Sequence, residues 1–155
     1  MTISILLGLL LVQPAAVQGP EHFFVGRTES TGTVSVIMSG RHAVRDRSRG
    51  RVERGNVLIL EQYVEEQGRP ARSRTWRLVR AADNRIAGTI SDARGPVTGD
   101  VRGNVIHLRY QSMEGPAVEQ WITLDPGRRT ARNRMVFRRL GITLATVESV
   151  IRKVD

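Results

Sequence analysis

Several polar residues of this chain stand two positions from an apolar one, the spacing that puts two strand side chains on the same face. Gln62 follows Leu60, Arg74 precedes Trp76, Asp92 follows Ile90, Tyr110 follows Leu108, Gln120 precedes Ile122 and Asn133 precedes Met135. Asn104 lies further back on the Leu108 track. If these tracks point inward, they build an apolar wall with a few convergent polar groups, the usual composition of a small-molecule site. The candidate ligand-binding set is therefore Arg74, Trp76, Leu108, Tyr110, Gln62, Gln120, Asn133 and Asp92. A buried guanidinium is costly unless paired, so Arg74 should meet Asp92, Glu61 or an anionic ligand head. The competing reading is an internal hydrogen-bond network that only fixes strand register.

Other chemistry finds little support. The chain has no cysteine, which removes thiol nucleophiles and thiolate metal sites. His22, His42 and His107 are far apart and none has metal-ligand spacing, so no metal and no cofactor is expected. No serine occupies a G-x-S-x-G context. Glu65 and Glu66 are adjacent, which puts them on opposite strand faces and spoils them as an acid and base pair. The stretch "GTISDARGPVTGDVRGN", Gly88 to Asn104, is glycine-rich, but no Lys and Ser or Thr follow Gly103 as a phosphate loop requires. Its glycines read as turns and strand kinks. A barrel shaping a reactive lipid, with Asp92 or Glu61 moving a proton, is the enzymatic alternative, an isomerase or cyclase.

Charge points to a second surface. The net charge is +9, carried by arginine except for one lysine, Lys153. Arginine concentrates in "RHAVRDRSRGRVER", with Arg45, Arg47 and Arg49, and in "RRTARNRMVFRR", with Arg132, Arg134 and Arg138 on the face opposite Met135 and Phe137. Were the two stretches neighbours in a closed sheet, they would form a stripe for an anionic membrane surface or lipopolysaccharide. Aromatics are only 5% of residues, which disfavours nucleic acid, since single-strand binders stack bases on exposed rings.

The elements that must position these residues read as strands. From Glu21 onward apolar residues alternate with polar ones between turn signals spaced about ten apart, the pattern of an antiparallel sandwich or barrel. The apolar tracks are Val34, Val36, Met38; Leu58, Leu60, Val64; Trp76, Leu78; Ile106, Leu108, Tyr110; Val118, Ile122, Leu124; and Met135, Phe137. Turn chemistry stands at 54–56, 66–70, 82–84, 94–96, 102–104, 114–116 and 125–127. The last segment, "ITLATVESVIRKV", also fits helical spacing, but its β-branched content favours a strand. A long open sheet would leave two unpaired edges, so closure is expected. The expected fold is all-β, one antiparallel, mostly up-and-down barrel of about 8–10 strands over residues 20–155.

Residues 1–19 form a separate object. Ile3 to Val12 is an apolar run too short to span a bilayer and followed by Pro14 and small residues, the shape of an export signal. The expected location is the periplasm or cell envelope, without a lipid anchor, because there is no cysteine to carry one.

"FFVGRTESTG", "RTWRLVR", "GTISDARGPV", "GNVIHLRY", "EQWITL" and "NRMVFRRLG", in that order and spacing from Phe23 to Lys153, resemble an uncharacterised bacterial family of envelope proteins. The resemblance implies a lipocalin-like, calycin-type β-barrel and an envelope location, with no assigned reaction. Its members keep company with membrane fatty-acid modification, which by analogy favours a lipid-related role. The functional expectation is an exported barrel that binds an amphipathic or lipid-like small molecule. The alternative is a binding module using its arginine face on an anionic membrane surface.

Overall fold

The computed structural model describes residues 19–155; the expected signal segment lies outside the described residues except for Gly19. A short 3₁₀ helix, Pro20–Phe24, precedes ten strands. These are β1 Gly26–Val36, β2 Gly40–Glu53, β3 Val57–Glu66, β4 Arg72–Arg80, β5 Arg85–Ile90, β6 Ala93–Arg102, β7 Val105–Ser112, β8 Ala117–Leu124, β9 Thr130–Arg139 and β10 Ile142–Lys153. Each pairs antiparallel with its sequence neighbours, and β1 pairs with β10 to close the barrel. The closing ladder runs from Thr28 opposite Lys153 to Val36 opposite Ala145. No sheet edge is left among the described residues, which answers the aggregation hazard of a long meander.

Alternation decides which side chains enter. In β8 the residues Val118, Gln120, Ile122 and Leu124 are buried while those between them are more exposed. In β2 the arginines at 41, 45, 47, 49 and 51 point out, leaving Val44, Asp46 and Ser48 facing the interior. The C-terminal segment is strand β10, as its β-branched residues suggest.

Two sequence expectations need correction. Met38 was expected on the inward track of Val34 and Val36, but it sits in the β1–β2 turn at φ 61° and is fully exposed. "RGP" at 94–96 is not a hairpin turn; it lies inside β6 at a register shift between Arg94 and Thr98, and the β5–β6 turn is Ser91–Asp92. Gly95 has φ 68° there, so it serves a bulge, the alternative use of a strand glycine.

The 3₁₀ helix closes one end of the barrel. Phe23 and Phe24 are buried and meet edge to face with ring centroids 5.2 Å apart. Lys153 Nζ donates to the carbonyls of Phe23 at 2.8 Å and Val25 at 2.7 Å, clamping the plug to the end of β10. Glu21 reaches Arg80 at the end of β4, at 2.6 Å. The other end carries the five turns β1–β2, β3–β4, β5–β6, β7–β8 and β9–β10. The apolar core gathers Leu58, Leu60, Trp76, Ile86, Ile106, Leu108, Ile122 and Ile151 with the plug phenylalanines.

Candidate functional site: the barrel interior

Packing does not fill the barrel. A cavity of about 840 Å³ is lined by residues from the plug, Phe24 among them, to Met113 and Pro116 at the open end. All eight candidates named from the sequence line it: Gln62, Arg74, Trp76, Asp92, Leu108, Tyr110, Gln120 and Asn133. Asn104, on the same track, does not; it lies in the β6–β7 turn and its Nδ2 donates to the carbonyl of Leu124.

Arg74 organises one side. Its side chain is 11% exposed, its Nε donates to Gln62 Oε1 at 2.6 Å and its Nη1 lies 3.5 Å from Asp92 Oδ2. The same Gln62 oxygen accepts from Trp76 Nε1 at 3.1 Å. Trp76 lies under the guanidinium at 5.4 Å and meets Tyr110 edge to face at 5.6 Å. These positions follow from register, since Gln62 pairs with Arg74 and Leu60 with Trp76 across β3 and β4. Glu61, weighed as a partner for Arg74, instead faces out within 3.5 Å of Arg51.

Asp46 belongs to this group and escaped the sequence reading. Burial pushes its carboxyl above the ordinary carboxylate value, and hydrogen bonds with Gln62, Ser30 and Ser48 together with the Arg74 charge only partly pull it back. The signal was present: arginines at 45, 47, 49 and 51 alternate with a track on which Asp46 is the only charged residue between Val44 and Val52. Tyr110 is likewise shifted upward, first by burial, and remains a neutral phenol facing the cavity.

A second polar group crosses the opposite wall. Gln120 Nε2 donates to Asn133 Oδ1 at 2.7 Å, and Asn133 Nδ2 donates to Ser149 Oγ at 3.1 Å. Four buried side-chain oxygens on residues that line the cavity, Glu21 Oε2, Thr28 Oγ1, Asp92 Oδ1 and Gln120 Oε1, lack a hydrogen-bond partner among the described residues, as does His22 Nδ1. No group of His, Asp and Glu suited to a metal ion occurs among the described residues.

The outer arginines behave differently. Arg132 lies 3.2 Å from Asp125, Arg134 3.5 Å from Glu148 and Arg138 2.9 Å from Glu119. Arg45 pairs with Glu65, and Arg47 stacks over Tyr63 at 5.3 Å. Arg49 stands opposite Glu61 in register. The two arginine stretches are not neighbours, because β1 and β10 separate β2 from β9. The continuous stripe expected from adjacency is therefore not formed. His107, on the outer face as the alternation implies, stacks on Trp121 at 5.1 Å and contacts Glu119 at 2.7 Å. Burial raises the Glu119 carboxyl, but Arg138, His107 and Arg109 outweigh it and hold the group below its ordinary value.

A family model described as protein of unknown function (DUF3833) matches residues 14–153. The chain belongs to this family. No curated protein matches its sequence. Among solved structures, the barrel is similar to an S-type phycobiliprotein lyase, CPES, from Guillardia theta, with a TM-score of 0.67 at 10% identity over 90% of this chain and 94% of that one. It is also similar to Rv2717c from M. tuberculosis, with a TM-score of 0.65 at 13% identity over 86% and 94%. A redesigned β-barrel, mFAP0, bound to DFHBI matches with a TM-score of 0.50 at 10% identity over 84% and 99%. At these identities the likeness concerns fold: the DUF3833 chain is a closed, ten-stranded antiparallel barrel with a lipocalin-like fold.

Proposed function

We propose that this DUF3833 barrel binds one amphipathic, lipid-like small molecule, its polar head at the Arg74 network and its apolar part against the wall toward the plug. The cavity carries the proposal. A network that merely fixed register would sit in a close-packed interior with its polar atoms satisfied. Here about 840 Å³ stays open, within the range of ligand pockets.

The polar groups also have room to exchange partners. The contact between Arg74 and Asp92 is long at 3.5 Å, so an anionic head can take over that guanidinium face without breaking the 2.6 Å bond to Gln62. Below Arg74, Leu58, Leu60, Leu78, Ile106 and Leu108 offer apolar surface down to Phe24. A structurally similar barrel described as bound to DFHBI supports the capacity of such a cylinder for a small molecule. The leader-like run Ile3 to Val12 makes the cell envelope the compartment we propose for this work.

Native mass spectrometry of the protein purified from its own host tests the reading. The expected result is a carried mass, released on unfolding, that corresponds to a single amphiphile. Leu108→Trp, which puts a bulky ring into the cavity beside Tyr110, should lower uptake of a fluorescent fatty acid by about tenfold while the thermal midpoint holds. Ligand-free spectra together with no saturable uptake of the probe would overturn it.

A further inference from the structure

We infer that the open end of the barrel docks on an anionic phospholipid bilayer, with the β1–β2 and β9–β10 turns entering the lipid. The inference goes beyond the cavity reading and can hold without it. The most exposed large apolar side chains are Met38 at 100% and Leu140 at 95%, followed by Ile142, Met113 and Ile37. All five stand in or beside turns of the open end. Among the described residues the plug end exposes smaller valines, Val25, Val52, Val79 and Val154, each between 37% and 41%.

Topology gathers these side chains. Because β1 pairs with β10, the two turns lie side by side, and Ile37 N donates to the carbonyl of Leu144 at 2.9 Å. The apolar surface then continues over the lip, since Val36, Leu144, Ala145 and Phe137 line the cavity. An apolar ramp thus runs from the tips into the interior. Met113 stands at the cavity mouth in the β7–β8 turn.

Backbone geometry makes the choice of residues telling. Met38 and Leu140 hold φ of 61° and 50°, the left-handed region that bulky residues avoid. Leu140–Gly141 is a two-residue hairpin turn with both φ positive, where Asn-Gly is the favoured pair. At the plug end the corresponding left-handed residues include Asn56 and Asn84. The chain thus keeps apolar side chains at strained, fully exposed positions only at one end, an outlier that points to function. Cations flank them: Arg41 stands exposed at the start of β2, opposite Ser35, and Arg139, opposite Ile142 in register, donates to the carbonyl of Glu114 at 3.2 Å. Apolar tips flanked by Arg41 and Arg139, with the exposed Glu114 carboxylate beside Met113 answered by Arg69 at 3.4 Å, match the interface of an anionic bilayer, where apolar burial and attraction to acidic lipids add.

Since the full chain lacks cysteine, a single environment-sensitive fluorophore can be attached through Ser39→Cys at the tip or Ala82→Cys at the plug end. With phosphatidylglycerol vesicles the Ser39 label should brighten and shift to the blue, several-fold less so in 0.5 M salt or with phosphatidylcholine alone, while the Ala82 label stays unchanged. Met38→Asn with Leu140→Asn should lower the response about tenfold. The same variant should keep or raise the thermal midpoint, because Asn tolerates the left-handed backbone, and should keep fatty-acid uptake in solution. A response at Ala82 instead, an undiminished response in the Asn double variant, or a Ser39 shift accompanying dimer formation without vesicles would each overturn the inference. Loss of uptake in Leu108→Trp with vesicle docking intact leaves docking standing and bears only on the cavity.

Discussion

Asp46 is the interior carboxyl whose charge the barrel most resists. Burial raises its pKa from an ordinary 3.8, and the hydrogen bonds and the Arg74 charge do not cancel that rise. The folded state therefore holds the proton more tightly than the unfolded chain does. Below 3.8 both states are protonated and Asp46 costs nothing; as pH climbs from 3.8 through the raised folded value a penalty develops, and it is complete above that value. Asp46→Asn should accordingly raise the thermal midpoint at pH 7, with the gain disappearing in acid. Thermal unfolding across pH measures it, and a gain independent of pH would mean that packing, not titration, is responsible. The same substitution removes a competing negative charge beside Arg74, so uptake of an anionic probe at pH 7 should rise with it.

At the scale of elements, the glycines of "GTISDARGPVTGDVRGN" divide by what surrounds them. A Cβ at Gly88 would run into the carbonyl of Arg77 on β4, and one at Gly99 into the carbonyl of His107 on β7. Both are backbone atoms of paired strands, which cannot yield without opening the ladder. Gly103, by contrast, faces open space and is constrained only by its φ of 58°. Gly88→Ala should thus cost about 3 kcal/mol and Gly103→Ala about 1 kcal/mol, an ordering that denaturant unfolding can check. That the glycines turn and bend the chain was legible beforehand, because no phosphate-loop residues follow Gly103. Which were kinks and which turns was not, since close approach of a neighbouring strand leaves no mark in the local sequence. The strand tracks and the eight interior candidates were legible because alternation fixes facing. Alternation has no rule for where a strand stops, so Met38 continues the inward track in sequence but not in space, and Asp46 stands on a track whose other members, Val44, Ser48, Gly50 and Val52, form too weak an apolar pattern to mark it as the inner one. The cavity itself, a matter of total volume against strand number, has no local signature.

The whole molecule is a meander in which every ladder but one joins consecutive strands, so its integrity depends on the closing pair of β1 and β10. That pair brings the most distant parts of the chain together, the slowest kind of contact to form. Nothing about the finished cylinder distinguishes this seam from the others: nine residue pairs join β1 to β10, and Arg27 N donates to Asp155 Oδ2 at 2.8 Å beside it. Moving the seam should therefore leave the barrel intact. Gly19 lies against Arg80 at the end of β4, and Asp155 beside Gly26 at the start of β1, so three strand spacings, roughly 14 Å, separate them on the plug end. A Gly/Ser linker of about eight residues spans that distance. A circular permutant of residues 19–155 so joined, and reopened between Gly103 and Asn104, should fold to the same barrel within about 2 kcal/mol, because one hairpin turn is exchanged for one linker. Its refolding rate should change more than its stability, since the long-range ladder becomes β6 with β7 while β1 and β10 become near neighbours in sequence. A permutant that fails to fold although its linker is lengthened would mean that the plug, tied at its start by the new linker, cannot seat Phe23 and Phe24, and that closure of this end precedes closure of the cylinder.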